Sequence, residues 1–80
     1  SPTTAKTLVV LDLLAQHPGG LSATEASRKS GFTPNLVFRM LKTFVEMGYA
    51  TQREDDKTYV LSNRLLDLSR PKVAGKSLVV

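Results

Sequence analysis

The chain has 80 residues, with 11 Lys and Arg against 7 Asp and Glu, one His and no cysteine, for a formal net charge of +4. A chain this short makes one domain that buries only about 60% of its unfolded surface, so its core is thin. The composition excludes a disulfide framework and a thiolate metal site; no stretch approaches the roughly 18 consecutive apolar residues of a membrane span, and none carries a signal-peptide pattern.

The first predicted helix runs from Thr4 to Gln16 and stops at the breaker cluster His17-Pro18-Gly19-Gly20. Leu8, Val9, Val10, Leu11, Leu13 and Leu14 leave only a narrow polar strip around Asp12 and Gln16. That apolar arc is wider than one small core covers. A second copy of the chain is the economical cover, because symmetric dimers dominate soluble assemblies; Leu8, Val10, Leu11 and Leu14 are then the dimer face. The other cover is the last helix and hairpin of the same chain.

Ser22-Ala23-Thr24-Glu25 is a capping box that opens a second helix, and Gly31 closes it where a left-handed residue is cheapest. Thr33-Pro34 supplies a cap and a first-turn proline for a third helix over Pro34 to Met47, closed by Gly48. Leu21 and Phe32, one residue before each cap, are placed to staple onto Ala26 and Val37. The few residues between Ser30 and Thr33 force the two helices to cross steeply, as a helix-turn-helix requires. At about 100° per residue, Val37, Met40, Leu41, Phe44 and Val45 share a buried stripe, and Asn35, Arg39, Lys42 and Glu46 lie opposite. Leu36 and Phe38 fall on the two flanks.

Beyond Gly48, Tyr49 to Arg53 and Thr58 to Leu61 are rich in aromatic, Thr and β-branched residues, with the polar run Glu54-Asp55-Asp56-Lys57 between them. They predict a β-hairpin wing, to which Leu21 adds a brief third strand. Ser62 is expected to cap a last helix reaching about Ser69, with Leu61 packing on Leu66, and Leu65 and Leu68 extending the apolar face. The fold class is mainly α with a small β-hairpin, a winged helix-turn-helix over residues 1–69. Residues 70–80, with Pro71, Gly75 and scattered cations, read as a flexible basic tail or linker.

A polar, mostly cationic stripe on an anchored second helix is what a helix-turn-helix inserts into the major groove of double-stranded DNA. Asn35 suits a bidentate contact to adenine, and Arg39 a guanine or a phosphate. Lys42, further from the helix start, suits a phosphate; Leu36 and Phe38 suit thymine methyls or padding against a neighbouring helix. Arg53 and Lys57 at the wing base reach the backbone, whereas Glu54, Asp55 and Asp56 at its tip repel phosphate. With Thr33 at the helix start, the candidate DNA-binding set is Thr33, Asn35, Leu36, Phe38, Arg39, Lys42, Arg53 and Lys57, against a plain reading as solvated surface. The alternative function is a protein–protein interaction module that presents Leu36, Phe38 and the acidic tip to an apolar partner groove.

Catalysis finds no constellation. The single His17 sits in a breaker cluster with no carboxylate partner at a suggestive spacing, so it is a helix cap or a loop residue. Ala74-Gly75-Lys76-Ser77 imitates the end of a phosphate-binding loop, but Arg70 stands where the first glycine belongs. No enzyme activity, metal or cofactor is expected.

Pro18-Gly19-Gly20-Leu21-Ser22, Ser30-Gly31-Phe32-Thr33, then Val37, Arg39 and Leu41, Met47-Gly48-Tyr49, and Tyr59-Val60-Leu61 with Leu65-Leu66 together resemble the DNA-binding domain of IclR-type bacterial transcription regulators. The resemblance spans residues 5–69. It implies that Asn35, Leu36, Phe38 and Arg39 face DNA, although family members usually carry small hydroxyl residues in place of Asn35 and Leu36 and a polar ring in place of Phe38. It further implies a homodimer joined through this domain, a cytoplasmic location at the bacterial nucleoid, and a larger effector-binding domain missing from this chain. A start at Ser1 without methionine and a stop on Leu78-Val79-Val80 fit a piece of such a regulator.

Overall fold

The computed structural model describes residues 2–70, so the expected tail beyond Arg70 and the Ala74–Ser77 motif lie outside the described residues. The elements are α1 (Pro2–Ala15), α2 (Ala23–Ser30), α3 (Pro34–Glu46), β1 (Ala50–Gln52), β2 (Tyr59–Leu61) and α4 (Arg64–Ser69). This is the winged helix-turn-helix order read from the sequence.

Local chemistry sets each boundary. At the end of α1 the Nδ1 of His17 lies 3.0 Å from the Leu13 carbonyl oxygen, so the ring caps the helix. The α2 capping box is complete: the Glu25 amide donates to the Ser22 hydroxyl at 3.1 Å and the Ser22 amide donates to the Glu25 carboxylate at 2.9 Å. Gly31 ends the helix in the left-handed region at φ 80°. Thr33 accepts from the Leu36 amide and Pro34 follows in the first turn of α3. At the far end, Gly48 at φ 85° lets its amide reach the Val45 carbonyl at 3.1 Å and the Tyr49 amide the Phe44 carbonyl at 2.7 Å. That crossed pair is a Schellman close, and it turns the chain directly into β1.

The turn between α2 and α3 is fastened by two serines. Ser27, buried, donates at 2.6 Å to the Phe32 carbonyl, and the Ser30 hydroxyl accepts from the Phe32 amide at 3.2 Å. Buried backbone oxygen without a partner is costly, so these bonds fix the angle at which α3 leaves the turn.

β1 and β2 pair antiparallel with Ala50 opposite Leu61, Thr51 opposite Val60 and Gln52 opposite Tyr59. Tyr59 also bridges Leu21, its amide donating at 2.7 Å and its carbonyl accepting at 3.0 Å. Leu21 thus supplies the brief third strand, and the hairpin is stitched to the loop ahead of α2. The strands are shorter than expected: Tyr49 is a bend after the α3 close, and Arg53 and Thr58, joined by a 2.8 Å backbone hydrogen bond, lie just past the paired residues.

Val10, Leu14, Leu21, Ala26, Val37, Met40, Leu41, Phe44, Ala50 and Tyr59 form one core cluster. Three expectations are corrected by it. Val10 and Leu14, assigned to a dimer face, are 0% and 1% exposed in the core of the single chain, sealed against α2, α3 and the hairpin, while Leu8 and Val9 of that arc stay open. Val45, assigned to the buried stripe, is 37% exposed, because a cleft separates α3 from the hairpin at its edge. α4 starts after Asn63 instead of Ser62 and buries none of its residues. Its Leu65, Leu66 and Leu68 face outward, and Leu65 lines an open apolar groove of about 350 Å³ with Leu8, Leu11, Phe44, Met47 and Tyr49. Ser62 still serves the turn: its hydroxyl donates to the Gly48 carbonyl at 2.6 Å and accepts from the Arg64 amide at 3.2 Å.

Candidate nucleic-acid interface

The candidate site is built on α3. Val37 and Leu41 are fully buried and Met40 and Phe44 nearly so, which fixes the rotation of the helix about its own axis. Asn35, Arg39, Lys42 and Glu46 are all exposed on the opposite side. Among the described residues, none of these four side chains makes a hydrogen bond or ion pair. Their donors and acceptors are therefore unengaged, and the outer face carries two cations against one carboxylate.

The two flanks have different neighbours. Leu36 is partly buried on the α1 side, where with Arg39, Met40, Thr43, Thr3 and Thr7 it lines a groove of about 240 Å³. Phe38 is 51% exposed on the hairpin side. It lines a second cleft of about 240 Å³ with Lys42, Val45, Gln52 and Tyr59. Thr33 spends its hydroxyl on the α3 cap and remains exposed beside Asn35.

At the hairpin, Arg53 is half-exposed and its Nη1 donates to the Gly19 carbonyl at 2.7 Å. One of its five N–H groups is thus committed inside the chain. Lys57 is exposed and holds a left-handed backbone at φ 60°, and its carbonyl accepts from the Gln52 side chain at 3.2 Å. The acidic tip is partly turned to its own loop. The Asp56 carboxylate accepts from the Thr58 hydroxyl at 2.7 Å and the Thr58 amide at 3.1 Å, while Asp55 accepts from the Asp56 amide at 2.7 Å. Those Thr58 bonds, hydroxyl first, hold the Asp56 carboxyl below its ordinary pKa. The Ser22 amide does the same for Glu25, helped by the Ser22 hydroxyl and the nearby Arg28 and Lys29.

The structure thus brings Thr33, Asn35, Arg39 and Lys42 together on one outward surface, places Phe38 beside them, turns Leu36 toward α1, and sets Arg53 and Lys57 apart in the loop that joins β1 to β2, beside the acidic run and not at the wing base where the sequence put them. Sequence reasoning missed Ser27 and Ser30 as the residues that aim α3, and it missed Val45 as part of an exposed apolar edge. The Gly31-Phe32-Thr33 turn was the only local signal that nearby hydroxyls had carbonyls to satisfy. No helix among the described residues is long and apolar enough to cross a membrane.

The family model described as the IclR helix-turn-helix domain matches residues 3–54, well over half of the chain. Among solved structures, an IclR transcriptional regulator of Alicyclobacillus acidocaldarius is similar with a TM-score of 0.77 at 25% identity, covering 85% of this chain and 28% of that one. An IclR family transcriptional regulator of Brucella abortus gives 0.75 at 28% identity, covering 85% and 26%. HmgR of Pseudomonas aeruginosa shares the fold, with a TM-score of 0.75 at 20% identity, covering 85% and 29%. The chain therefore spans less than a third of the length of these solved chains. A comparison with curated protein sequences gave no match.

Proposed function

The chain belongs to the IclR helix-turn-helix domain family, and on that premise we propose that it binds double-stranded DNA sequence-specifically as the DNA-binding module of a dimeric transcription regulator. α3 enters the major groove. Asn35 and Arg39, near its start, read base edges, and Lys42, with Arg53 and Lys57 in the hairpin loop, meets phosphates. The observation that carries this reading is the row Asn35, Arg39 and Lys42: exposed, unengaged among the described residues, and held outward by a helix whose other side is fully packed.

The acidic hairpin tip stays off the backbone in this reading: the Asp55 and Asp56 carboxylates bond within their own loop and keep their negative charge, which repels phosphate. A two-fold pair of such modules joins through the side of α1 that the core leaves open, around Leu8 at 59% exposure with Leu11 behind it, and the adjoining groove of Met47 and Leu65. One α3 then serves each half-site, and half-sites lie about one helical turn or a multiple of it apart. The greater length of the solved relatives accommodates an effector-binding domain in the whole regulator.

The protein-interaction alternative rests on Leu36, Phe38 and the acidic wing tip together, and Leu36 is partly buried against α1, which leaves that reading Phe38 and the charged tip. Binding-site selection from a random duplex library tests the proposal. Recovery of paired, inverted motifs supports it; a pool that stays random after repeated rounds counts against it.

A further inference from the structure

Phe38 and Val45 are apolar side chains left 51% and 37% exposed along the hairpin side of α3, one on either side of Lys42 in the sequence. With Lys42, Gln52 and Tyr59 they line a single cleft between helix and hairpin. Leu36, the other apolar flank residue, already packs toward α1 and the core. Phe38 is therefore the large apolar surface that the fold leaves uncovered beside the Asn35, Arg39 and Lys42 row.

A major-groove wall offers polar atoms at nearly every position, and its one apolar group is the C5-methyl of thymine. Resting on the DNA reading above, we propose that Phe38 is a specificity-determining residue whose ring takes a thymine methyl, with Val45 backing the contact. Lys42, one turn beyond Phe38 on the same side, anchors the adjoining phosphate and fixes which base the ring meets. The methyl leaves water against an aromatic face that is itself being dried. Because Phe38 carries no charge and is not part of the core, its removal changes base preference without changing the fold or the number of phosphates neutralised.

The test uses the duplex recovered by site selection, with each thymine replaced singly by uracil, which deletes only the methyl. Wild type, Phe38→Ala and Phe38→Leu are titrated in parallel, with circular dichroism checking the fold. The expected result is one position per half-site where uracil weakens wild-type binding about fourfold, the equivalent of about 0.8 kcal/mol for one methyl-sized group buried. Phe38→Ala no longer distinguishes thymine from uracil there and keeps the wild-type salt slope, while Phe38→Leu retains most of the preference. An equal uracil penalty in wild type and Phe38→Ala, or no penalty at any thymine in wild type, overturns the assignment to Phe38 while leaving DNA binding intact. Absence of salt-dependent duplex binding by wild type is a separate result, and it removes the DNA reading together with this one.

Discussion

The Nη1 of Arg53 donates a 2.7 Å hydrogen bond to the carbonyl oxygen of Gly19, tying the hairpin to the loop after α1 across 34 residues of sequence. The same guanidinium lies 4.0 Å from the Asp56 carboxylate. Arg53 is a strut for the wing as well as a candidate phosphate contact. Its replacement by Ala should cost about 1 kcal/mol of stability, a charged hydrogen bond discounted for exposure, and should shallow the log-log salt slope of DNA binding by about 0.9. Arg53→Lys should restore the slope better than the stability. Urea unfolding and salt titration of the three proteins check this, and an unchanged slope in Arg53→Ala would leave Arg53 a strut alone.

Gly20 is the glycine that this geometry cannot replace. Its φ is +101°, and a Cβ there would sit 2.9 Å from the Thr58 hydroxyl and 3.1 Å from a Val60 methyl. Gly20→Ala therefore carries both backbone strain and a clash with the hairpin, and should destabilise by about 1 to 3 kcal/mol. Gly19→Ala meets open space and should be close to neutral. Paired urea denaturation curves distinguish the two positions.

Two carboxyls make stability depend on acid. Glu25 and Asp56 both titrate below their ordinary values in the folded chain, held there chiefly by Ser22 and Thr58. A carboxyl with a folded pKa below its unfolded one stabilises fully above the unfolded value, about 4, and loses that contribution as pH falls through the folded value. The urea midpoint should accordingly be flat in neutral solution and decline below about pH 4. Glu25→Gln combined with Asp56→Asn should lower the plateau and shallow the acid decline; an acid limb as steep as wild type would show that other groups control it.

Leu8 tests the dimer face. At 59% exposure it stands outside the core that claims Val10 and Leu14, so Leu8→Glu should leave the fold unchanged. Sedimentation should shift toward the monomer, and affinity for a two-half-site duplex should drop while a single half-site is bound as before. A wild type that sediments as a monomer on DNA and off it would contradict this part of the proposal.

Much of the fold was legible because it is written locally. Ser22 with Glu25, and Thr33 with Pro34, announce helix starts within four residues, and both caps form. The stripe Val37, Met40, Leu41 and Phe44 follows from helical spacing, and the exposed row opposite follows from the stripe. Periodicity says which side faces inward but not how far the cover extends, which is why Val45 was assigned to the buried stripe and the α4 leucines to a packed apolar face, and all of them remain open. For the same reason the arc of α1 was read as one surface, when the core divides it between Val10 and Leu14 within and Leu8 and Val9 without. The Ser27 bond to Phe32 and the Arg53 bond to Gly19 depend on how turns bring distant backbone together, and no spacing rule reports that.

The central claim is that the outward row of α3 enters a duplex, and salt-dependent titration of the selected duplex with wild type, Asn35→Ala and Arg39→Ala tests it most directly. Wild type should weaken steeply as salt rises. Arg39→Ala should lose about 1 to 3 kcal/mol on the selected site, with discrimination relaxed at one position if it reads a base, or evenly across sequences and with a shallower slope if it holds a phosphate. Titration curves for the three proteins that superimpose at every salt concentration would contradict the account.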